Sequence, residues 1–87
     1  KTFDEVIERA NDNDLGLCSY LYTNSMDKAH IGSEKLESGC VAINTGVVAI
    51  AEAPFGGIKQ TGYGREGGSG AIKDYLNVKY THMGLKI

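Results

Sequence analysis

With 87 residues, the chain forms at most one small domain, which would bury only about 60–65% of the surface exposed in the unfolded state. Its composition, 41% hydrophobic and 23% charged, is that of an ordinary globular protein, without an apolar run of the roughly 18 residues that a membrane span needs. The net charge is −2, and the nine Lys and Arg residues are scattered without resembling a nucleic-acid footprint, so we expect neither nucleic acid nor membrane as a partner.

A helix over residues 3–10 and a strand over residues 17–22 are predicted first. Thr2 and Glu5 have the spacing of a capping box, and the apolar residues behind them recur at i, i+3, i+4 and i+7, namely Phe3, Val6, Ile7 and Ala10. Four turn-forming residues at 11–14 end the helix. Residues 17–22 carry aliphatic and tyrosyl side chains on both faces, which favours a buried strand.

A second helix follows, capped by Asn24 or Ser25 and ended by Gly39. Its predicted inner face holds Met26, Ala29 and Leu36. Gly32 costs about 1 kcal/mol against alanine inside a helix, which indicates close packing at that position. Residues 40–43 predict a second strand. Strand, helix and strand in this order predict a right-handed crossover with parallel strands, so the fold class is α/β.

The last predicted elements are a short helix over residues 69–76 and a strand over residues 78–83. The helix places Ile72, Tyr75 and Leu76 on one side, and the strand alternates. Three short helices are too few to cover both faces of a parallel sheet, so we expect further covering surface from outside the chain. The chain begins at Lys1 without a methionine, and we expect it to be the tail of a longer protein.

A glycine-rich loop over residues 45–67 separates the second strand from the third helix. Its central segment, residues 54–66, reads PFGGIKQTGYGRE. Structureless loops longer than roughly 12–15 residues are uncommon and are usually functional or disordered. Phe55, Ile58 and Tyr63 argue against disorder. Composition alone leaves two alternatives, a plain surface loop and a loop that shapes a ligand site.

The order of residues in this segment resembles the carboxyl-terminal signature of the aldehyde dehydrogenase superfamily. The signature begins with a PFGG run, here residues 54–57, followed by a lysine, Lys59, and a small hydroxyl residue, Thr61. It ends with an Arg–Glu pair among glycines, here Gly62, Gly64, Arg65 and Glu66. The resemblance covers essentially the whole chain, through Phe3, Ile7, Ala10, Asn11, Gly16, Leu17, Gly39, Val41, Ile43, Asn44, Tyr75 and Lys79. Within the superfamily, the chain most resembles the succinate-semialdehyde dehydrogenase branch. The residues that carry this likeness are Thr45, Gly46, Ala53, Tyr80, Gly84 and Leu85.

The resemblance implies a division of the chain and an enzymatic role. Residues 1–76 would be the carboxyl-terminal part of the thiol-bearing catalytic domain, and residues 77–87 an oligomerisation strand. Members of the family attack the aldehyde with a cysteine thiolate, transfer hydride to NAD or NADP, and hydrolyse the thioester with a glutamate as general base. Neither Cys18 nor Cys40 lies in the nucleophile's sequence context, and no glutamate matches the general base. The chain therefore holds no catalytic residue of its own, and we expect it to be inactive alone.

The pocket wall is the role that the resemblance assigns to this chain. It implies that Val48, Ala49, Ile50 and Phe55 line the aldehyde entrance, with Phe55 beside the catalytic thiol; the alternative for Phe55 is a plain core aromatic. An apolar wall excludes water from the thioester. The semialdehyde branch commonly has serine in place of Ala49. Because alanine cannot hydrogen-bond, recognition of a substrate carboxylate would depend on arginines upstream.

Arg65 and Glu66 have two readings. They are either solvated ions at the start of a helix or, as the resemblance implies, a support of the subunit interface and a carrier of protons respectively. Residues 62–67 also match G-x-G-x-x-G literally. We reject a dinucleotide fingerprint, because it requires a preceding strand and an acidic residue about 20 positions later.

The remaining expectations concern cofactors, partners and location. Cys18 and Cys40 lack the spacing of a disulfide framework or zinc site, so we expect reduced buried thiols and no metal. The resemblance implies a cytoplasmic homo-oligomer, dimer or tetramer, that takes NAD or NADP through an upstream domain and a small aldehyde as substrate. The alternative to an enzyme segment is a free-standing small α/β binding module. Only the G-x-G-x-x-G match favours this alternative.

Overall fold

The computed structural model describes residues 1–86 and contains two α-helices, four short strands and one 3₁₀ helix. In chain order these are α1 Phe3–Asn11, β1 Leu15–Gly16, β2 Cys18–Leu21, α2 Met26–Lys35, β3 Cys40–Ile43, β4 Ile58–Lys59 and the 3₁₀ helix Ala71–Tyr75. β2 pairs with β3 in parallel, and β1 pairs with β4 antiparallel. The mixture of helices and strands is that of an α/β protein, as predicted.

The first helix is capped as the sequence predicts. The Thr2 hydroxyl accepts a hydrogen bond from the Glu5 amide at 3.2 Å, which satisfies one of the free donors at the helix start. Ile7 is buried, with 7% of its surface exposed, whereas Val6 is 55% exposed. The predicted apolar face of α1 is therefore only partly buried within this chain.

The parallel strand–helix–strand unit is confirmed, with Cys18 opposite Cys40 and Leu21 opposite Ile43. Ser25, rather than Asn24, caps α2, because its hydroxyl accepts from the Lys28 amide at 3.3 Å. Ala42 of β3 is 4% exposed and belongs to the core between the strands and α2.

Gly32 confirms the close packing that the sequence indicates, since a Cβ there would lie 2.5 Å from the Leu21 side chain. Two details of α2 differ from the prediction. Met26 is 73% exposed, so it does not belong to an inner face. The helix ends at Lys35, and Leu36 leaves it in an extended conformation, three residues before Gly39.

The third helix and the last strand do not form as predicted. Residues 69–76 contain only the five-residue 3₁₀ helix, and Ile72, Tyr75 and Leu76 are all more than 60% exposed. Residues 78–83 carry no secondary structure, and Val78 is fully exposed. A strand needs a ladder partner and a helix face needs a surface to cover; no described element supplies either here. Ile87, the final residue of the predicted oligomerisation strand, lies outside the described residues.

The apolar core is small. Between residues 1 and 86, Ile7 and Ala42 are the only buried hydrophobic side chains, and no side chain is less than 2% exposed. The molecule is elongated, with extents of 76 × 24 × 19 Å. A small domain depends on the burial of apolar surface for its stability. The apolar surface buried within residues 1–86 is too small to form a self-sufficient core.

Candidate functional site

The glycine-rich loop is closed at its base by a two-residue β-bridge. The Phe55 amide donates to the Glu66 carbonyl and the Glu66 amide donates to the Phe55 carbonyl, both at 2.7 Å. Gly67 follows the bridge with φ of +68°, and a Cβ there would lie 2.9 Å from the Ala53 carbonyl oxygen. Glycine is needed at 67 because a side chain is disfavoured by both the backbone conformation and the space.

The loop also contains a strand that the sequence did not predict. β4 pairs with β1, so that Lys59 lies opposite Leu15 and Ile58 opposite Gly16. The Gly16 amide donates to the Thr61 hydroxyl at 2.8 Å. These contacts attach the middle of the loop to the turn after α1, and the loop is therefore a fixed part of the fold.

Lys59 connects three parts of the chain. Its ammonium donates to the carbonyls of Asn11 and Asn13 at 3.0 and 3.2 Å and pairs with the Glu37 carboxylate at 2.8 Å. Lys59 adopts a left-handed φ of +58°, which is uncommon for a residue with a side chain. Its cation lies at the carboxyl end of α1, where the helix carbonyls favour positive charge.

The Arg65 side chain joins the two arms of the loop by hydrogen bonds to main-chain carbonyls. Its Nη1 donates to the Gly57 carbonyl at 2.9 Å and to the Gly64 carbonyl at 2.7 Å. A Cβ on Gly56 would approach the Arg65 Cδ to 2.8 Å, so the glycine leaves room for the arginine stem. Arg65 is half-buried and hydrogen-bonded to main chain, which disfavours the solvated-ion alternative for it; Glu66 is exposed and contributes its main chain.

Three of the four residues predicted to form the pocket wall surround one cleft of about 370 Å³. Its lining consists of Ala49, Ile50, Ala51, Ala53, Phe55, Glu66 and Gly67. Val48 is half-buried and does not line this cleft. The structure thus places Ala49 and Ile50 beside Phe55, although they lie on opposite sides of Pro54 in sequence.

A second cleft of about 310 Å³ lies behind Phe55 and Glu66. These two residues line both clefts, while Arg65, Tyr63, Asp74 and Tyr75 belong only to the second. The Phe55–Glu66 bridge is therefore a wall between a largely apolar cleft and one that contains the Arg65 guanidinium.

Asn44 fixes the start of the segment that carries Ala49 and Ile50. It follows β3 with φ of +58°, a conformation that asparagine tolerates better than most residues. Its side-chain amide donates to the Thr23 carbonyl at 2.9 Å and accepts from the Thr23 amide at 2.8 Å. In this way Asn44 extends the pairing of β2 and β3 by a side chain.

The two cysteines are free, half-buried and opposite each other in β2 and β3. Burial, and secondarily the neighbouring Cys40, raise the pKa of the Cys18 thiol. Because the thiolate is the reactive form, this environment disfavours a nucleophilic Cys18. The Cys40 thiol donates weakly to the Gly56 carbonyl at 3.9 Å. No cluster of three metal-binding side chains occurs in residues 1–86.

Residues 62–67 do not form a dinucleotide fingerprint. β4 ends at Lys59 and is separated from Gly62 by a turn, and the element that follows is a 3₁₀ helix of five residues. The strand–turn–helix geometry that places a pyrophosphate at a helix start is missing here. The observation on which the free-standing module depended is thus removed. None of the helices in the described part of the chain has the length and apolarity needed to cross a bilayer.

A family model described as the aldehyde dehydrogenase family matches residues 1–81. The chain belongs to this family. It is 48% identical over 83 residues to the succinate semialdehyde dehydrogenase of Acinetobacter baylyi, a match that covers 95% of this chain and 17% of that protein.

Further relatives share the similarity and the limited coverage. The succinate-semialdehyde dehydrogenase [NADP(+)] of Escherichia coli is 47% identical over 93% of this chain and 17% of its own length. An aldehyde dehydrogenase from Bacillus cereus, solved as an NAD+ complex, superposes with a TM-score of 0.86 at 44% identity, covering 91% of this chain and 16% of that structure. The chain thus spans about 17% of the length of the curated relatives that it matches.

Proposed function

We propose that this chain is the carboxyl-terminal part of an NAD(P)-dependent aldehyde dehydrogenase that oxidises succinate semialdehyde, or a similar semialdehyde, to the acid. The single observation that carries the proposal is the 48% identity to a succinate semialdehyde dehydrogenase across 95% of this chain. Residues 1–76 complete the catalytic domain and residues 77–87 form an oligomerisation strand. The complete enzyme is a cytoplasmic homo-oligomer, a dimer or tetramer.

The catalytic thiol, the general-base glutamate and the cofactor site lie outside this chain in this proposal. The environment of Cys18 disfavours a thiolate, and residues 62–67 lack the geometry of a nucleotide site. NAD or NADP is therefore assigned to the upstream domain. The small core of this chain supports the same division, because its exposed apolar surface needs a larger domain to cover it.

This chain contributes a wall of the aldehyde pocket. Ala49, Ile50 and Phe55 surround the 370 Å³ cleft, whose volume lies in the range of about 300–1,000 Å³ that small-molecule sites occupy. The wall keeps water away from the thioester formed between substrate and enzyme, so that hydrolysis proceeds only through the activated water. Val48 does not line this cleft.

The substrate carboxylate is bound by cations from elsewhere in the enzyme. Glu66 is the one charged residue that lines the cleft, and its negative charge would repel a carboxylate. Arg65 lines only the other cleft and donates to main-chain carbonyls. Ala49 offers no hydroxyl, so the contribution of this chain to specificity is the shape of an apolar wall.

The test is a substrate panel with the complete enzyme that contains this chain, supplied with NAD+ or NADP+. Succinate semialdehyde, glutarate semialdehyde and butanal differ in chain length and in the distal carboxylate. We expect kcat/KM to be highest for a semialdehyde and to fall by about tenfold or more for butanal, because a buried cation is then left unpaired. Absence of reduced cofactor with every aldehyde would overturn the proposal.

A further inference from the structure

Arg65 forms an internal clamp whose two hydrogen bonds come from one nitrogen. Nη1 carries two hydrogens, and it donates to the carbonyls of Gly57 and Gly64 at 2.9 and 2.7 Å. The clamp therefore ties together the two arms of the loop, at Gly57, two positions after Phe55, and at Gly64, two positions before Glu66. Charge-assisted hydrogen bonds of this kind are among the stronger ones in proteins.

The clamp and the Phe55–Glu66 bridge are adjacent along the chain. The bridge fixes the main chain of Phe55 by two hydrogen bonds of 2.7 Å. The guanidinium joins Gly57 and Gly64, each two positions from the bridge residue of its arm, so the clamp lies next to the bridge on the same two arms. Gly56 allows the two arms and the arginine stem to lie this close, because a Cβ would overlap the Gly64 carbonyl oxygen and lie 2.8 Å from the Arg65 Cδ.

The two clefts define where the clamp acts. Arg65 lines the 310 Å³ cleft and does not line the 370 Å³ cleft, whereas Phe55 lines both. Arg65 thus cannot touch a substrate in the 370 Å³ cleft from its present position. It can act there only through the main chain that carries Phe55.

We infer that Arg65 is a positioning residue that holds Phe55 against the aldehyde from the opposite side of the wall. This inference rests on the proposed function, since it takes the 370 Å³ cleft as the aldehyde site. It gives Arg65 an intrachain role in setting the pocket, separate from any role at a subunit interface.

The test compares Arg65→Met and Arg65→Lys in the complete enzyme. Methionine retains the apolar stem over Gly56 and removes both donors, while lysine restores a charged donor without the planar fork. We expect Arg65→Met to lower kcat/KM for the aldehyde by about 10- to 100-fold and to leave the KM for cofactor unchanged. Arg65→Lys should recover part of the loss. Arg9→Met, at the only other arginine of the chain, serves as the matched control.

A second readout does not depend on activity. Amide hydrogen exchange at Phe55 and Glu66 should become faster in Arg65→Met, because their bridge loses the adjacent clamp. Arg65→Lys should slow this exchange again in part, because it restores a charged donor. If the unmodified enzyme oxidises no aldehyde, the proposed function fails, while the exchange measurement still reports whether the clamp exists.

Two results would overturn the inference. One is unchanged exchange at Phe55 and Glu66 together with unchanged kcat/KM in a folded Arg65→Met variant. The other is a fall in oligomer mass with normal exchange, which would assign Arg65 to the subunit interface alone. If Arg65→Met does not fold, the same comparisons are made with Arg65→Leu, which also lacks donors.

Discussion

Phe55 is the residue whose side chain relates most directly to the proposed chemistry. It is half-buried and lines the cleft beside Ala49 and Ile50. Phe55→Ala in the complete enzyme should lower kcat/KM for the aldehyde at least tenfold, because it removes the aromatic part of the pocket wall; in a core, truncation of a packed aromatic also costs about 3–5 kcal/mol of folding stability. The KM for cofactor should stay near its original value. Steady-state kinetics with varied aldehyde and varied cofactor separate these effects.

Tyr63→Ala is the matched control for Phe55→Ala. Tyr63 is an aromatic residue of the same loop that lies outside the aldehyde cleft and is 99% exposed. Equal losses of kcat/KM in both variants, or unaltered kinetics in a well-folded Phe55→Ala enzyme, would remove Phe55 from the pocket.

Lys59 stabilises the loop through contacts with two other parts of the chain. Lys59→Met removes a cation that contacts the carbonyls of Asn11 and Asn13 and the carboxylate of Glu37. We expect a loss of about 1.5–3 kcal/mol in the free energy of unfolding, since hydrogen bonds from charged groups are worth this much. Urea denaturation of the complete enzyme measures it. Lys73→Met, at an exposed lysine, should change the value by less than about 0.5 kcal/mol.

Among the elements, local patterns predicted those parts whose contacts are also local. The periodicity of α1, the serine cap of α2 and the order strand–helix–strand led to the observed parallel pair. Gly32 was correctly interpreted because a helix interior tolerates glycine poorly unless a neighbour approaches closely. The periodicity and the cap depend on residues within a few turns of one another, and the parallel pair follows from the order of neighbouring elements.

Contacts between distant parts of the sequence escaped prediction. Lys59 reaches Asn11 across 48 residues, and Asn44 reaches Thr23 across 21, and neither partner carries a signal that identifies the other. Only a 3₁₀ helix, Ala71–Tyr75, forms within 69–76, and residues 78–83 form no strand in this chain, because both elements need a covering surface or partner. Ala49, Ile50 and Phe55 were predicted as a pocket wall only through the family resemblance. The hydrogen bonds of Arg65 across the loop were not predicted.

The turn before β3 packs closely against the PFGG run. The Gly39 amide donates to the Gly16 carbonyl at 2.9 Å, and a Cβ on Gly39 would overlap the Gly56 carbonyl. Gly39→Ala should therefore force main chain apart and cost about 1–3 kcal/mol of stability, as overpacking does. Thermal unfolding measures the loss.

Gly70→Ala is the control for this substitution, because a Cβ at Gly70 would meet no atom within 4 Å. If Gly39→Ala and Gly70→Ala were equally stable, the contact between the turn and the PFGG run would not contribute to the fold.

For the whole molecule, the exposed carboxyl-terminal segment is the main question. Val78 and Tyr80 are more than 80% exposed, and residues 78–83 have no ladder partner among residues 1–86. We predict that they pair as a strand with another subunit, since open edges are seldom left unpaired. Deletion of residues 77–87 from the complete enzyme should give smaller species in light scattering.

A shorter deletion, of residues 84–87, provides the control because it retains the predicted strand. That variant should keep the mass of the intact assembly. Unchanged mass and full activity after deletion of residues 77–87 would show that the segment does not hold the oligomer together.

The most direct measurement compares the complete enzyme with the isolated 87-residue chain in the same assay. Both are supplied with succinate semialdehyde and with NAD+ or NADP+, and reduced cofactor is followed. The complete enzyme should produce it, and the isolated chain should produce none, because the environment of Cys18 disfavours a thiolate and residues 62–67 lack the geometry of a nucleotide site. Aldehyde-dependent cofactor reduction by the isolated chain would contradict the assignment of catalysis to the upstream domain, and inactivity of the complete enzyme would contradict the function itself.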